Sequence, residues 1–86
     1  MSRQRSMETI LASEYVSIGE LVRLTNCRYS TLKYYTEEGI LPFEQAEENL
    51  TRRFHREKAI ARIQVIQSLK KDGLSIDDIK KYFEEI

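Results

Sequence analysis

The sequence is poor in the residue types from which most enzyme and metal sites are built. It contains one cysteine (Cys27), one histidine (His55) and no tryptophan among its 86 residues. A single cysteine excludes an internal disulfide and a thiolate metal cluster, and a single histidine excludes a multi-histidine zinc site. We therefore expect no enzymatic activity, no catalytic residue, no bound metal and no cofactor.

Long apolar runs are also missing. None approaches the roughly 18 residues that a membrane-spanning helix requires, and residues 1–14 lack the apolar centre and cleavage site of a secretory signal. A hydrophobic fraction of 41% and a charged fraction of 33% are ordinary for a globular chain, and 86 residues are enough for one domain with a small core. We expect a cytoplasmic protein with no membrane partner.

The chain has no excess of charge of either sign, because 14 Lys and Arg balance 14 Asp and Glu. A neutral total counts against nucleic-acid binding, but the distribution of charge matters more than its sum. Basic residues dominate residues 21–36 and 51–62, whereas acidic residues gather between these two segments and at the C-terminus. If both basic segments fold onto one face, they form a surface for phosphate groups.

The middle of the chain carries the pattern of two short helices joined by a tight turn. Ser17 and Glu20 have the spacing of a capping box, and apolar residues recur at helical spacing to about residue 24. After a three-residue turn, a second helix at about residues 28–38 ends at Gly39, because glycine readily adopts the left-handed conformation. This order predicts a helix-turn-helix, whose second helix enters the major groove of DNA.

A β-hairpin is predicted directly after the second helix. Pro42 keeps its predecessor extended, a polar tract follows with its turn at Glu48 and Asn49, and Arg52 and Arg53 lie on the returning strand. Two further helices follow, one ended by Gly73. The predicted fold class is mainly α: a winged helix-turn-helix of about four helices, with a two-stranded β wing at about residues 41–55 between helices 2 and 3. Residues 1–14 form a flexible N-terminal arm and residues 15–86 the domain.

The second helix has two different faces. With about 100° between successive residues, Thr31, Leu32 and Tyr35 fall on one side and should pack against the other helices. The opposite side presents groups that can contact phosphate oxygens or base edges: Tyr29, Ser30, Lys33 and Tyr34.

On these patterns the chain resembles the DNA-binding domain of the MerR family of winged-helix regulators. The resemblance covers about residues 15–86. It rests on five segments in order: YVSIGELVRLT at residues 15–25, STLKYY at 30–35, EGILP at 38–42, RRF at 52–54 and LKKDGLSIDDI at 69–79.

The resemblance implies a homodimer on a pseudo-palindromic duplex, with the recognition helix in the major groove and the wing on the flanking backbone. It also implies a nucleoid-associated location. The family's basic residue before paired tyrosines is matched by Lys33, Tyr34 and Tyr35, and its wing arginine by Arg53 or Arg52. The candidate DNA-binding residues are Ser17, Arg28, Tyr29, Ser30, Lys33, Tyr34, Arg52, Arg53 and Arg56.

Several alternatives stay open. The chain is either an N-terminal fragment, which we favour, that dimerises through a segment beyond residue 86, or a stand-alone relative. It is a sequence-specific regulator, or an architectural, recombination or chromosome-anchoring protein of the same fold, or a protein-interaction module that has lost DNA binding. Cys27 is expected to be a small, partly buried residue, and His55 to lie at the core edge or to contact a phosphate. Arg3 and Arg5 belong to a basic arm or a disordered tail, and Arg23 is solvated or reaches a phosphate.

Overall fold

The computed structural model describes residues 4–47 and 51–85. Within these ranges the chain forms five helices and two short strands. In chain order they are α1 (Met7–Ala12), β1 (Tyr15–Val16), α2 (Ile18–Thr25), α3 (Tyr29–Glu37), β2 (Phe54–His55), α4 (Arg56–Lys71) and α5 (Ile76–Glu84). The predicted fold class, a mainly helical winged helix-turn-helix, is confirmed.

Local capping defines the helix-turn-helix. Ser17 caps α2 in a complete capping box, in which its hydroxyl accepts from the Glu20 amide and the Glu20 carboxylate accepts from the Ser17 amide. Asn26 ends α2 in the left-handed conformation, with φ of 59°, which turns the chain sharply into α3. Gly39 follows α3 with φ of 80°, a backbone angle that strains any residue with a Cβ. The capping box, the turn and the glycine stop are all as predicted.

The returning strand of the wing continues into β2, which pairs with β1, a strand that the sequence did not predict. The predicted hairpin at about residues 41–55 is present as an isolated antiparallel bridge between Glu44 and Arg53, with N···O distances of 2.7 and 2.8 Å. Beyond that bridge, β2 leaves the hairpin and pairs with β1, where Phe54 lies opposite Val16. The predicted turn at Glu48 and Asn49 lies outside the described residues.

The core is small and draws on every part of the described chain. Its members are fully or almost fully buried apolar side chains from all five helices, both strands and the segment after α3. They are Ile10, Val16, Leu21, Leu32, Tyr35, Ile40, Leu41, Phe54, Ala59, Ile63, Ile66 and Ile79. Because α2, α3 and the start of the wing share this core, burial fixes their relative positions.

For residues 4–14, the prediction of a flexible arm over residues 1–14 is corrected by α1; Arg3 and its neighbours at residues 1–3 lie outside the described residues. Ser6 caps this helix by accepting a hydrogen bond from the Thr9 amide at 3.2 Å. Ile10 is fully buried, and burial of one such side chain contributes roughly 1.5–3 kcal/mol. A six-residue helix with one buried residue has no apolar period. Its stability therefore comes from tertiary contacts that sequence periodicity does not reveal.

Candidate nucleic-acid interface

Helix α3 presents a polar and aromatic face to solvent. Tyr29 and Tyr34 are 54% and 46% exposed, whereas Leu32 and Tyr35 are 0% and 5% exposed. Ser30 and Lys33 are also exposed, so the predicted division of this helix into two faces is confirmed. The outward face combines one cation, one aliphatic hydroxyl and two phenols, which together can reach phosphates and base edges.

The packed side of α3 holds that face rigid. The Tyr35 ring lies in the core, and burial raises the pKa of its hydroxyl above the ordinary value. Thr36, also buried, donates its hydroxyl hydrogen to the Leu32 carbonyl oxygen at 2.8 Å. These contacts leave the α3 backbone little freedom to rotate, so its outward side chains keep a fixed spacing.

The Lys33 ammonium of α3 has only a long, exposed ion pair with Glu37. The Lys33 ammonium lies 4.0 Å from the Glu37 carboxylate, and the two side chains are 55% and 53% exposed. An exposed ion pair of this kind is worth at most about 1 kcal/mol. The Lys33 ammonium can therefore exchange Glu37 for another anion at little cost.

The start of α3 has an exposed guanidinium. Arg28 occupies the N-cap position without a side-chain capping bond, and it is exposed. The turn before it is held by Cys27, whose Sγ accepts a hydrogen bond from Gln67 Nε2 of α4 at 3.0 Å. Cys27 is partly buried as predicted, and the α4 contact fixes where the recognition helix begins.

The two wing arginines have different surroundings. Arg53 is exposed and uses its backbone to pair with Glu44. Arg52 is partly buried, and its Cζ lies 4.7 Å from the centroid of the Phe43 ring. Successive side chains of an extended strand point to opposite faces. The resemblance left the choice of wing arginine open, and this geometry favours Arg53 as the more accessible cation.

Two predicted contact residues are engaged within the domain. The Ser17 hydroxyl caps α2. The Arg56 Nε donates to the Ser13 carbonyl oxygen at 2.8 Å, and its Nη2 lies 3.6 Å from Glu57 Oε1. These contacts do not test DNA binding, so the DNA contacts of Ser17 and Arg56 stay predictions. His55 lies at the core edge, where its Nδ1 accepts from the Lys58 amide at 3.4 Å.

A cluster of charged side chains on and beside α2 was not predicted from the sequence. Arg5 Nε lies 2.6 Å from Glu20 Oε2, and Arg5 Nη2 lies 2.7 Å from Glu20 Oε1. Arg23 Nη1 donates to the Arg5 carbonyl oxygen at 2.6 Å. We call Arg5, Glu20 and Arg23 the α2 cluster. The partners are 15 and 18 residues from Arg5, so no local sequence signal joins them.

Glu20 should make folding stability depend on pH. Hydrogen bonds from Arg5, and then from the Ser17 amide, lower the pKa of its carboxyl from the ordinary value of 4.5 to about 2. The unfolded state therefore binds a proton more readily, so this stabilisation is complete above pH 4.5 and lost as pH falls toward about 2. In Glu20→Gln, we expect urea midpoints to vary less over that range. If Glu20→Gln and the unaltered chain show the same dependence of stability on pH, Glu20 is not the group responsible.

A concavity in the described part of the chain lies between the wing, α4 and α5. Its volume is about 590 Å³, and most of its lining is apolar or aromatic, including Phe43, Val65 and Tyr82. Arg62 closes one side, with its Cζ 3.6 Å from the Phe83 ring centroid and its Nε donating to the Ile40 carbonyl oxygen at 2.9 Å. We refer to this concavity as the wing groove.

Residues 4–47 and 51–85 hold neither a metal-binding cluster nor a helix that could span a membrane. No group of three or more His, Cys, Asp or Glu side chains there is arranged to hold a metal ion. Among the helices of the same residues, none combines the length and the apolar content needed to cross a bilayer.

A short helix, a three-residue turn, an exposed second helix and a following hairpin define the winged helix-turn-helix class. Within that class, residues 16–86 match the MerR HTH family regulatory protein, and the chain belongs to this family. The predicted resemblance is confirmed.

Two curated relatives have similar sequences. The uncharacterized HTH-type transcriptional regulator YyaN of Bacillus subtilis (strain 168) is 33% identical over 69 residues, which cover 80% of this chain and 49% of that protein. An uncharacterized HTH-type transcriptional regulator of Haemophilus influenzae (strain ATCC 51907 / DSM 11121 / KW20 / Rd) is 39% identical over 54 residues, or 63% of this chain and 39% of that protein. The matches thus span half or less of these relatives. No solved structure matches the chain significantly.

Proposed function

We propose that this chain is the double-stranded DNA-binding domain of a MerR-like transcriptional regulator. The observation that carries the proposal is the outward face of α3, where Tyr29, Ser30, Lys33 and Tyr34 are exposed together on a helix whose other side is buried. In a helix-turn-helix, the second helix lies in the major groove with its N-terminal residues at base edges. Family membership and the names of the two relatives support the same function.

The position of each residue on α3 suggests its role. Tyr29 and Ser30 begin the helix, so they are placed to read base edges through their hydroxyl groups. Lys33 and Tyr34 lie one turn further along, where a cation and a phenol suit the phosphate backbone. Base contacts provide sequence specificity, whereas phosphate contacts fix register and provide most of the salt-dependent affinity.

Outside α3, the proposed contacts are mainly to phosphate. Arg28 and Arg53 are exposed, and a guanidinium can donate two parallel hydrogen bonds to one phosphate. Arg52 adds charge from the wing, and Ser17 and Arg56 are the remaining candidates. A homodimer formed through a segment beyond residue 86 would place two recognition helices about one helical turn of DNA apart, roughly 34 Å.

A salt titration of binding to random duplex DNA tests the proposal. The logarithm of affinity should fall linearly with the logarithm of salt concentration, with a slope near −0.9 for each phosphate contacted. An artificially dimerised form should be measured beside the chain itself, since one half-site can bind weakly. If neither form shows salt-dependent binding, the DNA-binding proposal is wrong.

The wing assignment makes a separate prediction. Arg53→Ala should reduce the steepness of the salt slope by about 0.9, the value of one phosphate contact. Arg52→Ala is the matched control, because it removes the same side chain from the neighbouring position, where the guanidinium stacks on Phe43. We expect it to change the slope less than Arg53→Ala does. An unchanged slope in Arg53→Ala would remove this residue from the interface.

The wing groove favours a second candidate function, protein interaction. Phe43 and Tyr82 line it and remain 36% and 40% exposed, and exposed apolar patches often mark protein contacts. A module of this kind would show no salt-dependent binding to DNA. An architectural protein would bind DNA with the same salt slope as a regulator, but would enrich no motif from a random pool.

A further inference from the structure

The Arg5 side chain helps to tie the N-terminal segment to the helix-turn-helix. Besides its two contacts with Glu20, the Arg5 guanidinium donates from Nη1 to Ser13 Oγ at 3.0 Å and from Nη2 to the Tyr15 carbonyl oxygen at 3.3 Å. All three of its nitrogens therefore have partners inside the domain. Little of its hydrogen-bonding capacity remains for a phosphate, so Arg5 is not placed to act as a DNA-binding arm.

The region that contains Arg5 lies before the residues that match the family. The family match begins at residue 16, whereas Arg5 and the buried Ile10 precede it and pack onto α2 and the core. A tail with no role in the domain has no reason to bury an isoleucine or to hold a bidentate ion pair. Within this segment, Arg5 pairs with the carboxylate of Glu20.

Glu20 lies in the first turn of α2. In helix-turn-helix complexes the first helix crosses the DNA backbone, so an uncompensated carboxylate there repels phosphates within the screening length of about 8–10 Å. The capping box requires a side chain at this position that accepts from the Ser17 amide. With glutamate at this position, the residue that caps α2 also places a negative charge near the phosphates unless a cation accompanies it.

We propose that Arg5 is a positioning residue for DNA binding, which neutralises Glu20 so that α2 can approach the phosphate backbone. With Arg5 in place, the α2 cluster carries a net positive charge; without it, the charges of Glu20 and Arg23 cancel. Arg5 also orients Arg23 through its carbonyl oxygen. This inference rests on the proposed DNA-binding function and adds to it the role of a residue that precedes the family match at residues 16–86.

A double-mutant cycle on affinity for duplex DNA tests the inference. Arg5→Gln, Glu20→Gln and the double variant are compared with the unaltered chain at one fixed salt concentration. Glutamine at position 20 can still accept from the Ser17 amide, so it keeps the capping box. Arg5→Gln alone should weaken binding about fivefold. In the Glu20→Gln background, the same change should weaken binding by at most about twofold, because it removes a cation without leaving an unpaired carboxylate.

Two further measurements separate this role from others. Arg5→Lys keeps the charge but not the bidentate geometry, so it should restore affinity to within about twofold. Arg5→Gln should leave the salt slope within about 0.3 of its original value, since no phosphate contact of Arg5 is lost. Thermal unfolding of each variant confirms that binding is measured on folded protein.

The outcomes are distinguishable. An equal loss of affinity in both backgrounds would overturn the positioning role, and a slope reduced by about 0.9 would assign the loss to a direct phosphate contact of Arg5. Absence of any loss in Arg5→Gln would also overturn it. If the unaltered chain, including its dimerised form, binds no DNA, the proposed function fails and this inference fails with it.

Discussion

Replacing Phe54 by alanine is expected to destabilise the domain by about 3–5 kcal/mol, the usual cost of removing a buried aromatic ring. Phe54 is fully buried, and its backbone pairs with Val16 where the wing meets the N-terminal strand. Its ring lies 6.1 Å from the ring of Phe43. A domain of this size has a total stability of about 5–15 kcal/mol, so the variant should be largely unfolded in mild denaturant.

Urea unfolding measures this effect, and Phe43→Ala is the matched control. Phe43 loses the same ring but is 36% exposed, so its replacement should cost about 1 kcal/mol. If the two variants unfold at the same urea concentration, the wing is not anchored through Phe54. A lower midpoint with an unchanged slope for Phe54→Ala would show that stability, rather than the compactness of either state, has changed.

The contrast between α2 and β1 shows what the sequence could predict. Helix α2 is specified locally, because Ser17, Glu20 and the apolar spacing that follows them lie within a few residues of one another. Strand β1 has two residues and pairs Tyr15 with His55, forty positions away. Two residues are too few for an alternating pattern. Their strand exists because Phe54 and Val16 are buried together, and that pairing becomes visible only in three dimensions.

The same distinction explains α1 and Arg5. Ser6 is a suitable N-cap, but the helix that follows buries only Ile10, so periodicity gave no reason to predict it. Arg5 was predicted to lie on a basic arm or tail, because neither Glu20 nor Arg23 is near it in sequence. Basic side chains read from sequence alone are easily assigned to nucleic acid. Here the structure uses one of them to compensate a carboxylate within the domain.

The outward face of α3 was predictable because helical periodicity places residues on faces without knowledge of their partners. Leu32 is buried and Lys33 is exposed, as their positions around the helix require. The wing arginines were harder to separate. Arg52 and Arg53 are adjacent and chemically identical, and they differ in the folded chain because Arg52 stacks on Phe43 whereas Arg53 is exposed.

The most direct test of that face is charge reversal at Lys33. Lys33→Glu should weaken binding to duplex DNA roughly 30- to 100-fold, because it removes one cation from the interface and adds an anion facing the phosphates. Folding should change little, since the pair with Glu37 is long and exposed. Affinity at fixed salt, measured together with the urea midpoint, separates the two effects.

Lys81→Glu is the matched control for Lys33→Glu. Lys81 is an exposed lysine in the last turn of α5, outside the proposed interface, and its reversal changes the net charge by the same amount. If binding depended only on net charge, both variants would weaken it equally, and α3 would lose its special role. We instead expect Lys81→Glu to stay within about threefold of the unaltered chain, the size of effect that long-range screened charge produces. A large loss confined to Lys33→Glu would locate the phosphate backbone at α3.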